Sequence, residues 1–263
     1  MDLVERAKTA GVGVLALTDH DTVAGIEEAA LAARNSGIEF VPGVEVSVTW
    51  EGKTLHVVGL QINARDSGLL ETLGCLADIR EDRAREMGER LARSGAAGAY
   101  ESAKRLAQEG MVTRTHFARV LVSRGLALDV RDVFNRFLTH GKPGHVATQW
   151  ASLETAVARI SQAGGFAVLA HPLRYRLSKS WLRRLAGEFR EMGGVAVEVI
   201  SGHPSLGEIE SMASFAKRHG LMGSCGSDFH GPDEAWPKLG KMSFLPGDLT
   251  PVWSLWQPAL QRP

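Results

Sequence analysis

Short apolar runs that end in histidine or carboxylate residues recur along this chain of 263 residues. The first run, residues 12–17, leads directly to Asp19, His20 and Asp21. Further residues of this kind, at or near the ends of other apolar runs, are Glu45, His56, His171, Asp228 and His230. In α/β barrels, active sites lie at the C-terminal ends of the strands. The pattern therefore predicts a metal site assembled by several strands of a barrel.

Strand and helix patterns alternate in the first and last parts of the chain, but not in the middle. Strands are predicted over residues 12–17, 38–45, 166–170, 195–200 and 221–226, and as a hairpin of residues 45–50 and 54–60. Continuous apolar strands separated by helices favour a parallel sheet that is buried on both faces. Residues 69–138 show only helical patterns. We therefore predict an α/β fold in which residues 1–68 and 146–263 form a barrel and residues 69–145 form an inserted helical, substrate-binding subdomain. From residue 232 the chain is expected to be irregular.

The bulk composition excludes several functional classes. Thirty basic and thirty acidic residues cancel, so no global field attracts nucleic acid or a membrane. The cysteines, Cys75 and Cys225, form neither a zinc-ribbon spacing nor a disulfide framework. No apolar run approaches the roughly 18 residues of a membrane span, and the N-terminus has no secretory signal pattern. We expect a cytoplasmic protein without a membrane partner or an obligate protein partner.

The donor types narrow the choice of metal. Imidazole nitrogen together with carboxylate oxygen suits Mn, Zn or Fe better than Ca. A carboxylate such as Glu45 can bridge two cations, and two cations can clamp both oxygens of a phosphoryl transfer. Taken singly, each piece has an ordinary explanation. His56 alone would be a core histidine, and residues 19–21 alone would be a turn with an Asp N-cap; only their joint occurrence favours a metal site.

Phosphate recognition would need local cations, and two segments offer them. Arg114, His116 and Arg119 lie close together at the expected start of a helix, where Thr115 is the predicted N-cap. Lys142 lies in the glycine-rich turn of residues 140–145. The alternative explanation is a solvated helix face and a tight turn.

Familiar nucleotide-binding motifs are absent in their required contexts. Residues 11–16 fit a G-x-G-x-x-A pattern, but they precede their strand, whereas a dinucleotide fingerprint follows one. Residues 52–54 resemble the end of a phosphate-binding P-loop, yet they lie in the predicted hairpin. Neither motif is therefore taken as a binding site.

The ordered set of motifs resembles the PHP (polymerase and histidinol phosphatase) superfamily over almost the whole chain. The matching segments are residues 16–22, 43–47, 55–59, 114–117, 141–144, 170–172 and 226–230. The resemblance is closest to members that act as 3′,5′-nucleoside bisphosphate phosphatases and 5′→3′ exoribonucleases. It implies a distorted (β/α)7 TIM-like barrel that holds two to three divalent cations, with manganese expected and Mg, Zn or Fe as alternatives.

The resemblance also implies a role for each candidate residue. The implied metal ligands are His20, Glu45, His56, His171, Asp228 and His230. Glu45 would bridge two metals, and Glu45, Asp228 and His230 are the expected catalytic residues. The residues implied to hold substrate phosphates are Arg114, His116, Arg119 and Lys142.

The function implied is that of a hydrolase. A metal-dependent phosphoesterase would remove the 3′-phosphate of nucleoside 3′,5′-bisphosphates by in-line attack of activated water, and would also cleave short RNA from its 5′ end. Two alternatives stay open: a non-catalytic nucleotide- or metal-binding remnant of the family, and a histidinol-phosphate phosphatase.

One family feature is missing from the chain as given. Family members open with a strand that carries His-x-His and, a few residues later, an Asp, all upstream of a helix like residues 3–10. We expect a start codon read too late, rather than a truncation or degeneration, and with it little activity in the chain as written. An in-frame Asp-x-His-x-His pattern upstream of Met1 would favour the enzyme over the binding module.

Overall fold

The computed structural model describes residues 2–108, 110–231 and 239–256. By its internal contacts the chain divides into two compact units. Unit 1 comprises Met1–Leu73 and Ala151–Pro263, and unit 2 comprises Gly74–Trp150. Whether the inserted unit binds substrate stays a prediction.

The described elements follow each other in a regular α/β order on both sides of the insertion. The strands are β1 (Val14–Leu17), β2 (Glu39–Trp50), β3 (Lys53–Leu60), β4 (Ala151–Ser152), β5 (Phe166–Leu169), β6 (Ala196–Ser201) and β7 (Met222–Gly226). The α-helices are α1 (Asp2–Thr9), α2 (Ile26–Ser36), α3 (Ser67–Arg93), α4 (Ala99–Ala107), α5 (Arg114–Ser123), α6 (Val130–Val133), α7 (Leu153–Gln162), α8 (Lys179–Glu191) and α9 (Leu206–Arg218). A π-helical turn, Phe134–Leu138, follows α6, and short 3₁₀ helices span Pro172–Tyr175 and Val252–Leu255.

The sheet of unit 1 is mixed, whereas the sequence had led us to expect a parallel one. Its strand order is β1-β2-β3-β5-β6-β7, with β4 paired to β2. Strand β3 runs antiparallel to both β2 and β5, and the other pairs are parallel. The reversal comes from the predicted hairpin, whose turn residues Glu51 and Gly52 both have positive φ, at 49° and 72°. The arrangement is consistent with part of a distorted TIM-like barrel.

The core of unit 1 lies between this sheet and its helices. Val44, Leu55 and Val168 are fully buried on the central strands. Helix α7 packs closely on β3, because a Cβ at Gly59 would lie 2.9 Å from Ile160. This packing places α7 directly against the strand that carries His56.

Unit 2 is helical and has a core of its own. Large side chains such as Leu91, Phe117 and Leu121 are fully buried there. Helix α5 begins at Arg114, and its N-cap is Thr113 rather than the predicted Thr115. The reason is local, since Nδ1 of His116 accepts a hydrogen bond from the Thr113 N–H at 3.0 Å. A histidine thus takes the place that Glu or Gln occupies in a capping box.

The end of the chain is only partly described. Residues 232–238 and 257–263, which the irregular-tail prediction includes, lie outside the described residues. Within the described part of the tail, Pro251 forms a parallel bridge with Gly223 next to the short helix Val252–Leu255. Among the described helices, none has the length and apolar character needed to cross a bilayer.

Candidate metal centre

Glu45 is the hub of the candidate site in unit 1. Its side chain is buried, and three imidazoles face its carboxylate. Oε1 lies 2.9 Å from His171 Nε2 and 3.0 Å from His56 Nδ1. Oε2 lies 3.5 Å from His20 Nδ1. A buried carboxylate therefore meets nitrogen donors from three other segments of the chain.

The sheet register explains this convergence. On the antiparallel pair β2–β3, His56 is opposite Ser47, two residues from Glu45, so Glu45 and His56 are diagonal neighbours on one face. His20 follows β1 and forms a parallel bridge with Glu45. His171 follows β5, and the residue between them is tied to β3, because the Ala170 N–H donates to His56 O at 3.2 Å. Long-range pairing therefore places side chains that local sequence could only mark singly.

The remaining predicted ligands extend this arrangement. Ring centroids lie 5.7 Å apart for His230 and His20, 4.7 Å for His20 and His56, and 5.1 Å for His56 and His171. Nδ1 of His230 lies 3.7 Å from one carboxylate oxygen of Asp228. The other oxygen of Asp228 is in contact with the Arg174 guanidinium. All six predicted ligands thus form one continuous series of contacts in unit 1. Their roles as ligands stay predictions.

The donor geometry fits a divalent cation. His56 Nδ1, His171 Nε2 and Glu45 Oε1 form a triangle with sides of 3.2, 2.9 and 3.0 Å. Ligands of one ion at bond lengths of about 2.1 Å lie roughly 3.0–3.4 Å from each other. His20, Glu45 and His56 also offer ligand atoms that all lie within 4.8 Å of one another. Mixed nitrogen and oxygen donors at these spacings suit a transition-metal dication.

The electrostatics favour an ionised Glu45. Burial by itself raises the pKa of Glu45, but hydrogen bonds with His171 and His56 and the charge of His20 outweigh it, so that the pKa lies well below its usual range. Burial likewise acts to lower the pKa of His171, but the hydrogen bond and charge of Glu45 raise it above its usual value. The centre therefore offers a permanent negative charge to a cation.

Two supporting residues escaped the sequence prediction. Glu198 on β6 accepts a hydrogen bond from the His171 backbone N–H at 2.7 Å. Burial raises the pKa of Glu198 to about 7; His171 opposes this rise, and the charges of Glu45 and Asp228 add to it. The signal for Glu198 was available, since it is a lone carboxylate within the apolar run 195–200.

The second is Tyr175, at the end of the 3₁₀ helix Pro172–Tyr175. Its hydroxyl oxygen accepts a hydrogen bond from the His56 backbone N–H at 2.8 Å. Because the two residues are 119 positions apart, no local pattern in the sequence could have indicated this contact.

The predicted phosphate-binding residues lie in unit 2, and Arg114 belongs to a basic cluster there. Burial and the charges of Arg114 and Arg80 lower the pKa of Arg83 to about 10. Arg80 and Arg83 form cation–π contacts with Trp150, and their guanidinium carbons lie 5.1 and 5.5 Å from the ring centroid. Positive groups held this close together favour binding of an anion.

The other three phosphate candidates have different surroundings. His116 caps α5, and burial together with the charge of Arg119 lowers its pKa. Lys142 is exposed in a turn, where its backbone N–H donates to Thr139 O at 3.0 Å. Sequence reasoning did not include Arg83, which lies in the middle of α3.

Several known proteins are similar to this chain in sequence. The PHP domain family matches residues 1–70. A 3′,5′-nucleoside bisphosphate phosphatase from Chromobacterium violaceum is 44% identical over 263 residues, which is 100% of this chain and 92% of the relative. The 5′-3′ exoribonuclease Rnm of Escherichia coli K12 is 45% identical over 257 residues, 97% of this chain and 87% of the relative.

A solved structure is similar over nearly the same range. It is an amidohydrolase from Chromobacterium violaceum with bound sulfate and no metal, with a TM-score of 0.92 and 45% identity. The match covers 97% of this chain and 89% of that chain.

Proposed function

The chain belongs to the PHP family, and on that premise we propose that it is a metal-dependent phosphoesterase that removes the 3′-phosphate of nucleoside 3′,5′-bisphosphates. The observation that carries the proposal is the buried Glu45 carboxylate, with imidazole nitrogens of His56 and His171 at 3.0 and 2.9 Å. Nitrogen and oxygen donors converge here from separate strands, as a metal-dependent hydrolase requires.

The candidate ligands have different proposed roles at the metal centre. In this proposal His56, His171 and Glu45 would hold one cation, Asp228 would serve a second, and His20 and His230 would contribute to a third. A bound divalent cation would stabilise charge on the phosphoryl oxygens and make water a better nucleophile. The ionised Glu45 supplies the negative charge that retains the cations. Manganese is the ion that the family resemblance implies, and the mixed imidazole and carboxylate donors suit Mn, Zn or Fe better than Ca.

The phosphate that is not hydrolysed needs cationic contacts. In this proposal Arg114, His116, Arg119 and Lys142 supply them. The like-charged surroundings of Arg114 support this role, since burial and the charge of Arg80 lower the pKa of Arg114. An arginine can bind a phosphate through two parallel hydrogen bonds.

RNA is the second substrate of the proposal. The support is the 45% identity to an exoribonuclease. A 5′-phosphorylated RNA end carries a 5′-phosphate and an adjacent 3′ phosphodiester, so its phosphorus groups stand at the same two positions as in a 3′,5′-bisphosphate, with a diester in place of the 3′-monoester. The location in the cytoplasm stays a prediction.

The first experiment tests the metal centre. The natural gene product and its Glu45→Gln variant are assayed for Mn²⁺ binding and for phosphate release from adenosine 3′,5′-bisphosphate. The variant should lose more than about 100-fold in both, because it removes the only anionic donor of the triangle. Glu39→Gln, at an exposed position of the same strand, is the matched control and should behave like the parent. Full activity in Glu45→Gln would refute the assignment.

A substrate panel tests the reaction. It contains adenosine 3′,5′-bisphosphate, a 5′-phosphorylated oligoribonucleotide and histidinol phosphate. Preference for the first two supports the proposal. Preference for histidinol phosphate would replace it with the rival phosphatase, and metal binding without turnover of any substrate would indicate a binding module.

A third experiment tests the phosphate contacts. Arg114→Ala should raise KM for the bisphosphate by more than about 10-fold and change kcat less, since a phosphate contact away from the reacting group contributes uniform binding. Arg131→Ala, an exposed arginine on α6, is the control. An unchanged KM in Arg114→Ala would remove this residue from the phosphate site.

A further inference from the structure

Glu198 occupies an irregular point of the sheet next to the candidate metal centre. It pairs with Ser224 of β7, and the register shifts between Glu198 and Ile200. Such a bulge places two residues opposite one and re-aims a side chain. A carboxylate between the apolar residues Val197 and Val199 is costly to bury, so its retention needs a reason.

The carboxylate of Glu198 binds the backbone of a predicted ligand rather than its side chain. Oε2 accepts the hydrogen bond from the His171 N–H at 2.7 Å. Among the described residues, the imidazole nitrogens that face the Glu45 carboxylate come from His20, His56 and His171, whereas the hydrogen bond of Glu198 is with the His171 backbone. Glu198 therefore acts on the centre through His171.

His171 needs such support because its backbone is strained. Its φ and ψ are 28° and 56°, in a region that non-glycine residues rarely adopt. A conformation of this kind persists only where surrounding contacts hold it. The backbone conformation of His171 decides where its ring points. In this conformation Nε2 lies 2.9 Å from Glu45 Oε1 and 3.2 Å from His56 Nδ1.

The neighbouring strand leaves room for this contact. A Cβ at Gly226 would lie 3.0 Å from Oε1 of Glu198, which is tighter than ordinary side-chain packing. Glycine at this position therefore permits the Glu198 carboxylate to lie under the turn that carries His171.

We propose that Glu198 is a positioning residue of the metal centre, whose carboxylate holds the His171 backbone so that the imidazole faces Glu45. The inference rests on the proposed function only in taking His171 as a metal ligand. It requires no particular substrate.

The test compares two substitutions by Mn²⁺ titration, with free Mn²⁺ measured by electron paramagnetic resonance. Glu198→Ala removes the acceptor and should weaken Mn²⁺ binding by roughly 10- to 100-fold, the usual effect of losing a group that orients a ligand. Glu198→Gln keeps an acceptor oxygen and should stay within about threefold of the parent. Equal loss in both variants would overturn the role of the hydrogen bond, and parent-like binding in Glu198→Ala would overturn the proposal altogether.

A matched control separates positioning from general loosening. Val197→Ala changes the fully buried residue that precedes Glu198 and points to the opposite face of β6. It should lower the melting temperature without changing Mn²⁺ affinity. If Val197→Ala weakens Mn²⁺ binding as much as Glu198→Ala, the effect comes from instability and the proposal is wrong.

Turnover adds a second readout. Saturating Mn²⁺ should restore most of the kcat of Glu198→Ala, because the defect lies in holding the ion. Failure of the parent to hydrolyse bisphosphates would refute the proposed function, but it would leave the Mn²⁺ titration as a valid test of Glu198.

Discussion

The carboxylate of Asp21 accepts a hydrogen bond from the backbone N–H of Ser47 at 2.6 Å, within the buried interior of unit 1. The backbone N–H of Asp21 donates to the Glu45 carbonyl oxygen at 2.9 Å, and the Glu45 N–H donates to Asp19 O at 3.0 Å. These bonds continue the β1–β2 ladder past the end of β1. They hold His20 beside the carboxylate of Glu45.

Asp21→Ala should destabilise the protein by about 1–3 kcal/mol, because the buried Ser47 N–H loses its acceptor. Asp21→Asn is the matched control. Its side-chain oxygen can still accept, and asparagine tolerates the positive φ of 53° found at this position. Urea unfolding measures both variants, and a parent-like stability of Asp21→Ala would contradict the expectation.

Tyr175→Phe should weaken Mn²⁺ binding by roughly 10-fold, since it removes the group that orients the backbone of His56. Burial raises the pKa of Tyr175 well above its usual value, so the phenol is protonated at neutral pH. Tyr100→Phe removes the hydrogen bond to Glu81 in unit 2 and serves as the control. Mn²⁺ titration of both variants measures the difference. Equal Mn²⁺ affinities of Tyr175→Phe and Tyr100→Phe would exclude a role for Tyr175.

The stability of unit 2 should fall in acid through His116. Its pKa is lowered by burial and by Arg119, and its Nδ1 accepts the Thr113 N–H, so the folded state disfavours protonation. Above about pH 6.5 both states are neutral and the cap is intact. As pH falls below that value the unfolded state binds the proton more readily, and stability is lost until the folded state also titrates.

His116→Gln isolates this contribution, because glutamine is an ordinary capping-box residue that does not titrate. The stability of the parent relative to the variant should decrease between pH 7.5 and pH 5.5. Urea unfolding at several pH values measures the difference. Parallel profiles for the two proteins would show that His116 does not contribute.

The two cysteines should differ in reactivity. Cys75 is exposed, whereas burial and the charge of Glu198 raise the pKa of Cys225 to about 12. Because the folded state raises the pKa of Cys225, the thiol contributes to stability fully below about pH 8.5, the pKa of a cysteine in the unfolded chain. This contribution is lost as pH rises toward 12. Ellman's reagent at pH 8 should label one thiol rapidly, and the second only after unfolding. Loss of the rapid phase in Cys75→Ser confirms the assignment; two rapid phases in the parent would contradict it.

The local sequence pattern was sufficient to predict an element whose structure depends on a single segment. The apolar run before His20 predicted a strand with ligand types after it, and the turn at Glu51 and Gly52 predicted the hairpin. The local pattern failed where a second residue nearby determined which residue caps a helix. Thr115 looked like the N-cap of α5, but the acceptor at His116 shifted the helix start to follow Thr113.

The sequence by itself determined the elements and the set of candidate ligands, because alternation of apolar and polar residues and the chemistry of His and carboxylate side chains are local properties. Only the tertiary structure decided how these residues meet. His171 and Glu45 are 126 positions apart, and His171 and Glu198 are 27 apart. Contacts of this length depend on strand order, register and burial, and the supporting hydrogen bonds are donated by backbone N–H groups, which every residue type except proline carries. For that reason the candidate ligands could be named from the chain alone, whereas the contacts that orient them could not.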